Sequence, residues 1–319
     1  MNARLAKLVL GLITASWIAS AAVAQESWPT RQIQIIVPLP AGSAADTVAR
    51  LVGSKLSERL RQTVIVINRD GASGTIGTQQ VAKAEPDGYT LGLATSTTLV
   101  TAPILDRRIP YDAERDFAPV AMIGYSPYVL VTNPSVPAKT VTEFIALAKA
   151  KPGMLTYSSV GEASLARLAA ELLANMSGIS LVQVPYKSST QAVVDVLGGR
   201  IDAQFGILST THQYIKEGKL NALGVTTLKR VPDFPDMPTL DEMGLPGYEA
   251  TLWLGLVAPS KTPVSVVTRL NAEINAILVE SSVHTALAAQ AIVEDPQSRQ
   301  GFGDKIKIDL AKWRDLAVA

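Results

Sequence analysis

The chain passes from an apolar strand into an amphipathic helix through residues 37–46, VPLPAGSAAD. The residues before this loop are β-branched and apolar, which predicts a buried strand at Ile33–Val37. Ser43 and Asp46 form an S-x-x-D capping box, so we expect a helix to start just after Gly42. Loops at the carboxyl ends of parallel strands are where open α/β sheets bind their ligands.

A second passage from strand to helix occupies residues 155–164, LTYSSVGEAS. Ser159 and Glu162 form an S-x-x-E box there, so both halves of the chain present hydroxyls and free N–H groups that favour anions. Taken singly, each box is better explained as an ordinary helix cap. Asp46 and Glu162 also occupy part of the positive field at a helix start. An anionic ligand would therefore depend on loop amides, hydroxyls and water.

The rest of the sequence predicts an α/β fold with mostly parallel strands, because short β-branched runs alternate with amphipathic helical stretches. The predicted strands are residues 33–37, 64–67, 91–94, 129–132, 155–158, 181–184 and 203–207. Apolar residues at helical spacing mark two helices, at positions 48, 51, 52, 56 and 60 and at positions 165, 168, 172, 173 and 176. No linker divides the sequence, so we expect a hinge built from ordinary strands or loops near residues 124–128 and 224–254.

The N-terminus predicts a signal peptide over residues 1–24. Arg4 and Lys7 precede an apolar stretch from residue 8 to 19, and Ala22-Val23-Ala24 has the small-residue form of a cleavage site. A membrane anchor is the alternative, but the apolar stretch is shorter than the ~20 residues that span a bilayer. We therefore expect a protein that is exported to the periplasm.

Composition excludes several classes of protein. The sequence contains no cysteine, so it offers no disulfide, thiol nucleophile or lipidated N-terminus, and burial of the core must stabilise the fold. Basic and acidic residues are nearly balanced, 29 against 28. This balance argues against nucleic acid or an anionic membrane surface as a partner, since both require a concentrated basic face.

The residue inventory also argues against an enzyme. His212 and His284 are far apart without metal-ligand spacing, and the sequence has no G-x-S-x-G, S-x-x-K or P-loop motif. Residues 68–77, NRDGASGTIG, follow the second strand, but their glycine spacing differs from the dinucleotide motif G-x-G-x-x-G. We expect a cleft-lining loop here, with Gly71 and Ala72 at the ligand, and we expect no catalytic residue, metal or cofactor.

Three further residues are candidates for the cleft. Thr97 follows the strand at 91–94 and faces the ligand, or else it caps a turn. Tyr186 and Lys187 supply an aromatic wall and a charge, or else they form a strand-end pair that covers the surface of the lobe.

A set of short motifs runs in order along residues 28–319. These motifs are Trp28-Pro29, residues 37–42 with Asp46 and Ala49-Arg50, Asn68-Arg69 with Gly71-Ala72 and Ile76-Gly77, residues 86–89, residues 110–112 with 116–120, residues 184–187, residues 197–199 with Asp202, Pro238-Thr239, Pro259, Leu270-Asn271 and Lys312-Trp313. Each motif is weak alone, but their joint order is specific. Together they resemble the Bug-type extracytoplasmic solute receptors, the substrate-binding components of tripartite tricarboxylate transporters.

The resemblance implies an α/β, two-lobed periplasmic binding protein of the Venus-flytrap, type II-like kind, with the ligand cleft between the lobes. Lobe 1 would comprise residues 25–124 and 252–319, and lobe 2 residues 125–251. Loops of both lobes would hold a carboxylate, partly through water, when the cleft closes. The ligand-binding residues carried over by position are Pro40, Ala41, Gly42, Ser43 and Asp46 in lobe 1 and Ser158, Ser159, Gly161, Ser164 and Asp202 in lobe 2.

The sequence departs from the family pattern in the second loop. The family usually has glycine where Val160 stands, and a β-branched residue does not easily adopt a positive φ, so we expect a narrower or reshaped loop. Other departures are Ser43 for glycine, Arg167 for histidine and Ser188 for glycine.

By this resemblance we expect a monomeric periplasmic protein that captures a small organic carboxylate. Its partners would be the membrane subunits of a secondary transporter, to which it delivers the ligand unmodified. One alternative is a receptor that docks on a membrane sensor, which the sequence does not separate from transport. Another is a hydrolase or lyase on the same scaffold, which would need a reactive constellation that the sequence does not contain.

Overall fold

The computed structural model describes residues 28–160, 164–186 and 188–318. The predicted signal peptide lies outside these residues. The strands are β1 (Ile33–Val37), β2 (Val64–Asn68), β3 (Thr90–Thr95), β4 (Phe117–Ser126), β5 (Tyr128–Thr132), β6 (Thr156–Ser159), β7 (Val182–Pro185), β8 (Ala203–Ile207), β9 (Asn221–Val225), β10 (Leu252–Pro259) and β11 (Val293–Glu294). The helices are α1 (Ala44–Leu60), α2 (Thr75–Ala82), α3 (Ala102–Leu105), α4 (Val141–Ala150), α5 (Leu165–Ser177), α6 (Ser189–Leu197), α7 (Leu208–Lys216), α8 (Val264–Leu278), α9 (Ser281–Ala288) and α10 (Arg299–Val318).

The described strands form two mixed sheets. The first has the order β11-β4-β10-β3-β1-β2, and the second has the order β7-β6-β8-β5-β9. Strand β1 is parallel to β2 and β3, and β6 is parallel to β7 and β8. Strand β10 runs antiparallel to both β3 and β4, and β5 runs antiparallel to both β8 and β9. Strands β1–β4 therefore run in one direction in the first sheet and β6–β9 in one direction in the second, as the prediction of mostly parallel strands expected, and β10, β11 and β5 are the exceptions.

Helices cover both sheets with their apolar faces. On the first sheet, α1 buries Val48, Val52 and Leu56, in the same cluster as Ile274 of α8. Each fully buried side chain of this kind contributes roughly 1.5–3 kcal/mol relative to an exposed one.

Helix α5 covers the second sheet. It buries Leu168, Leu172 and Leu173, whereas Met176 of the same predicted stripe is 38% exposed near the helix end. The helix ends at Gly178, which adopts the left-handed conformation that this position favours.

The chain crosses between the sheets at Pro127 and again between Val225 and Leu252. After the second sheet, Thr226 ties the returning segment to that sheet. Its N–H donates to Tyr128 O at 2.9 Å and its hydroxyl donates to Ala250 O at 2.6 Å.

We propose the division predicted from the sequence, with lobe 1 as residues 25–124 and 252–319 and lobe 2 as residues 125–251. Strand β4 extends slightly past the first boundary, to Ser126.

Candidate ligand-binding cleft

A cleft opens between the two sheets and contains two adjoining compartments. The lobe-2 compartment has a volume of about 720 Å³ and is lined mainly by the ends of β6, β8 and α5. The lobe-1 compartment has a volume of about 520 Å³ and is lined by the loops after β1, β2 and β3. Ser73, Thr97 and Leu252 line both compartments, so the two compartments form one continuous cleft.

The loop after β1 is fixed by the carboxylate of Asp46. Asp46 Oδ2 accepts a hydrogen bond from the N–H of Gly42 at 2.9 Å, and Ser43 Oγ accepts one from the N–H of Asp46 at 3.2 Å. Ser43 therefore caps α1 as predicted, although the carboxylate reaches back to Gly42 rather than to Ser43 itself. Gly42 has a φ of 82°, which favours glycine at this turn.

Asp46 is 3% exposed and is further held by Arg50 and Asn68. Asn68 Nδ2 donates to its Oδ1 at 2.9 Å, and Arg50 Nε donates to its Oδ2 at 3.1 Å. Burial raises the pKa of Asp46, but the hydrogen bonds from Arg50, Gly42 and Asn68 outweigh it and leave the pKa below its usual value. Pro40 and Ser43 line the lobe-1 compartment, whereas Ala41, Gly42 and Asp46 line neither compartment.

The loop after β6 differs from its prediction. Ser159 is the last residue of β6, where its C=O accepts from Tyr186 N at 2.8 Å and its hydroxyl accepts from Gln183 Nε2 at 2.7 Å. Because Ser159 is extended and paired in the sheet, it does not cap a helix, and the predicted cap is wrong. The cap of α5 is Ser164, whose Oγ accepts from Arg167 N at 3.3 Å.

The predicted residues of this second loop gather at the lobe-2 compartment. Ser158, Ser159 and Ser164 line it, together with Val160, which is not among the residues with positive φ. Gly161 and Glu162 lie outside the described residues.

The candidates in the loops after β2 and β3 also reach the cleft. Gly71 lines the lobe-1 compartment, whereas Ala72 lines neither compartment and starts a short 3₁₀ turn with a φ of 46°. Thr97 lines both compartments. The turn there is capped by its neighbour Thr98, whose Oγ1 accepts from Thr95 N at 3.0 Å.

Two remaining candidates lie away from the cavity lining. Tyr186 donates its hydroxyl to Asp195 Oδ2 at 2.6 Å, which favours the interpretation of a strand-end residue on the lobe surface. Asp202 Oδ2 accepts from the N–H and the hydroxyl of Thr156, both at 2.8 Å. Since β6 and β8 are parallel, this contact lies at the amino ends of the strands, opposite the cleft edge. Lys187 lies outside the described residues.

Several lining residues of the lobe-2 compartment were missed from the sequence. They include Tyr128, Gln204, Phe205, Ile207, Tyr214 and Leu252. Gln204 carried a usable signal, because it is the amide side chain within the otherwise apolar strand AQFGI. Burial raises the pKa of Tyr128 to about 12, so its phenol is neutral at physiological pH.

The described side chains that line the lobe-2 compartment are suited to binding an organic ligand. Among the described residues, the lobe-2 compartment is lined by hydroxyls, one amide and apolar groups without an ionised side chain. The searched part of the chain contains no cluster of metal-ligating side chains. No helix within the described ranges is long and apolar enough to span a bilayer.

Comparison with known proteins identifies the family. The model of the tripartite tricarboxylate transporter family receptor, TctC, matches residues 48–316. The chain belongs to this family. Protein BugT of Bordetella pertussis is 36% identical to it over 317 residues, which cover 98% of this chain and 96% of BugT.

Solved structures of related receptors share the fold. Rpa4515 of R. palustris with adipate is 34% identical with a TM-score of 0.72, and covers 91% of this chain and 97% of its own. MatC of Rhodopseudomonas palustris with bound malate is 29% identical with a TM-score of 0.69, covering 91% and 100%. A TctC solute-binding protein from Polaromonas without ligand is 30% identical with a TM-score of 0.84, covering 91% and 99%.

These relationships confirm the predicted receptor family, the two-lobed periplasmic binding fold and the function as a binding protein rather than an enzyme. They also place the TctC receptor in the periplasm.

Proposed function

We propose that this chain captures a small organic carboxylate in the cleft between its lobes and delivers it to the membrane subunits of a tripartite transporter. The observation that carries the proposal is the cavity of about 720 Å³, which is lined by residues of both lobes. The chain that contains it belongs to a family of transport receptors. The adipate and malate of the related structures support a carboxylate as the ligand.

The N-terminus of α5 is the stronger candidate for the carboxylate. This 13-residue helix starts beside the cavity, and its first turn contains no acidic residue. Helix α1, by contrast, has Asp46 in its first turn, which already uses the helix-end field. The N–H groups at the start of α5, with the hydroxyls of Ser158 and Ser159, therefore favour an anion on the lobe-2 side.

Neutral donors suffice for the affinity that a transport receptor needs. A Kd of 1 μM corresponds to about −8.2 kcal/mol. Hydrogen bonds to a charged group contribute roughly 1.5–3 kcal/mol each, so a few of them, reduced by the cost of closure, reach this value. Neutral donors also permit release, because no ion pair has to be broken.

We further propose that residues 1–24 are removed after export and that the mature receptor is a monomer in the periplasm. A monomer suits a cleft that both lobes of one chain complete.

The proposal is tested by titrating purified protein with a panel of mono-, di- and tricarboxylates in thermal-shift and calorimetric assays. We expect at least one acid to bind, and at about 100 times its Kd to add about 2.7 kcal/mol of stability. Ser164→Ala should weaken that binding by about tenfold, because it removes a hydroxyl and loosens the first turn of α5.

Ser298→Ala is the matched control, since Ser298 Oγ accepts from Gly301 N at 3.0 Å at the start of α10, away from the cleft lining. Equal affinity of both variants for the ligand would remove Ser164 from the site. Failure of every carboxylate to bind would overturn the proposed function.

A further inference from the structure

The loop after β2 contains a run of left-handed backbone at the edge of the cleft. Gly71, Ala72, Ser73 and Gly74 have φ values of 120°, 46°, 55° and 90°. Glycine adopts such angles easily, but alanine and serine do so at a cost, because their Cβ approaches the following carbonyl oxygen. The run therefore holds two strained residues between two glycines.

Packing does not explain the strain at Ala72 and Ser73. Both residues are exposed, and no described residue hydrogen-bonds to the Ser73 hydroxyl. Two backbone hydrogen bonds close the turn, from Gly74 N to Gly71 O at 3.0 Å and from Thr75 N to Ala72 O. An exposed hydrogen bond of this kind contributes about as much as one left-handed residue costs, so the left-handed turn and a relaxed form lie close in free energy.

The two ends of the run differ in how tightly they are packed. A Cβ at Gly74 would lie 2.7 Å from Thr98 Cγ2 and 3.1 Å from Pro38 O, so this residue is wedged between two neighbouring loops. A Cβ at Gly71 would meet the side chain of Ile76, which is itself 53% exposed. The turn is therefore anchored at Gly74 and loosely packed at Gly71.

Ser73 brings this run to the lobe-2 compartment, which it lines together with Thr97 and Leu252. The other described lining residues of that compartment lie in residues 128–214, which belong to the second sheet and its helices. Because Ser73 is exposed, its hydroxyl stands at the entrance of the compartment and is open to a ligand. Ala72 lines neither compartment, so its methyl group acts on a ligand only through the backbone.

We propose, on the basis of the proposed function, that residues 71–73 form a lid over the lobe-2 compartment. The left-handed turn is the retracted form of the lid, and a form in which Ala72 and Ser73 have negative φ is the closed one. An organic acid in the compartment favours the closed form, because the Ser73 hydroxyl then donates a hydrogen bond to it from the lobe-1 side. The strain released in the turn offsets part of the free energy that closing the cleft costs.

Substitutions at Ala72 test the lid through the backbone alone. Glycine at this position removes the strain and so favours the retracted turn, whereas proline fixes φ near −65° and excludes that turn. The purified protein would be titrated by calorimetry with benzoate, adipate, malate and citrate. For the acid of these four that the wild type binds most tightly, we expect Ala72→Gly to weaken binding about fivefold and Ala72→Pro to tighten it.

Arg61→Gly is the matched control. Arg61 adopts the same left-handed conformation at the end of α1, with a φ of 52° and a ψ of 34°, and it lines neither compartment. Both glycine variants should keep or raise the melting temperature, since both relieve the same strain, but Arg61→Gly should leave the affinity unchanged. Ser73→Ala removes the hydroxyl and keeps the strained backbone, so it should weaken binding severalfold.

The outcomes separate the lid from the function on which it rests. Unchanged affinity of both Ala72 variants, tighter binding by Ala72→Gly, or an equal loss of affinity in Arg61→Gly overturns the lid and leaves the carboxylate receptor intact. If Ala72→Pro does not fold, Ala72→Gly and its control still decide the question. Absence of binding by all four acids overturns the proposed function and the lid together.

Discussion

At the scale of single residues, Asp46 and Ser159 show when a capping-box motif correctly predicts the start of a helix and when it does not. The Ser43–Asp46 pair was interpreted as a capping box, and the structure contains that cap because both partners are local in sequence. Ser159 carries the same motif, but its backbone pairs with Pro185 in the sheet. Tertiary pairing determines which serine caps the helix, and a local motif does not contain that information. Gln204 was missed although its amide stands out in an apolar strand, because its strand neighbour Ser158 lies far away in sequence.

We predict that Asp46→Asn destabilises the protein by roughly 1–3 kcal/mol at pH 7, because the amide disrupts the contacts of a buried carboxylate. The folded-state pKa of Asp46 is lowered, so its contribution is present above the unfolded pKa and is lost as the pH falls through the folded value. The difference in free energy of unfolding between wild type and variant should therefore shrink between pH 5 and about pH 3. Urea denaturation at each pH measures it.

Asp236→Asn is the control for this prediction, since Asp236 is exposed. An equal loss of stability for Asp46→Asn at both pH values would show that the ionised form does not fix the loop.

At the scale of elements, local pattern was sufficient for β1 and β8, whose bounds agree with the prediction. Strands β4, β9, β10 and β11 were missed. Strand β10 is a continuous apolar run, which periodicity does not distinguish from other buried segments, and β4 contains Pro119. The register between these strands shifts where Val257 lies opposite Pro119, which is how a sheet accommodates a proline. Their pairing joins residues far apart in sequence, so local pattern does not predict it.

Helix α10 is anchored by a buried charge network. Asp309 Oδ2 accepts from Trp253 Nε1 at 2.8 Å, and Asp309 Oδ1 lies 3.2 Å from Lys305 Nζ and 3.0 Å from Lys312 Nζ. Lys305 Nζ also lies 2.8 Å from Glu249 Oε1, in the segment that returns from lobe 2. Burial lowers the pKa of Lys305, but Asp309 and Glu249 outweigh it and raise the pKa. The network therefore joins both lobes at their second crossing.

We predict that Asp309→Asn costs roughly 3–5 kcal/mol, because it leaves buried ammonium groups without a full countercharge while retaining an oxygen for Trp253. Chemical denaturation measures the loss. Asp304→Asn on the exposed side of the same helix should change stability little. A loss below about 1 kcal/mol for Asp309→Asn would mean that the cluster does not anchor α10.

At the scale of the whole molecule, the lobes are joined by two crossings and share one cleft. Composition alone did not predict this arrangement, because no linker divides the chain, and the two-lobed fold came from the resemblance of scattered motifs.

We predict that a saturating ligand draws the lobes together and reduces the radius of gyration measured by small-angle X-ray scattering. The physical reason is that donors on both lobes converge on one ligand only in a closed state, which the ligand then favours. A carboxylate that does not bind in calorimetry is the control and should leave the scattering curve unchanged. Binding without any change in the radius of gyration would contradict closure.

Leu252 connects the wall of the cleft with the segment that joins the two lobes. It begins the strand that re-enters lobe 1, and it also forms part of the wall of both compartments. Because Leu252 also lies at the end of the second crossing between the sheets, we expect the bulk of a ligand in contact with it to limit how far the lobes close. A ligand too large for the closed cleft would keep the lobes apart, so its size would change the overall shape of the receptor.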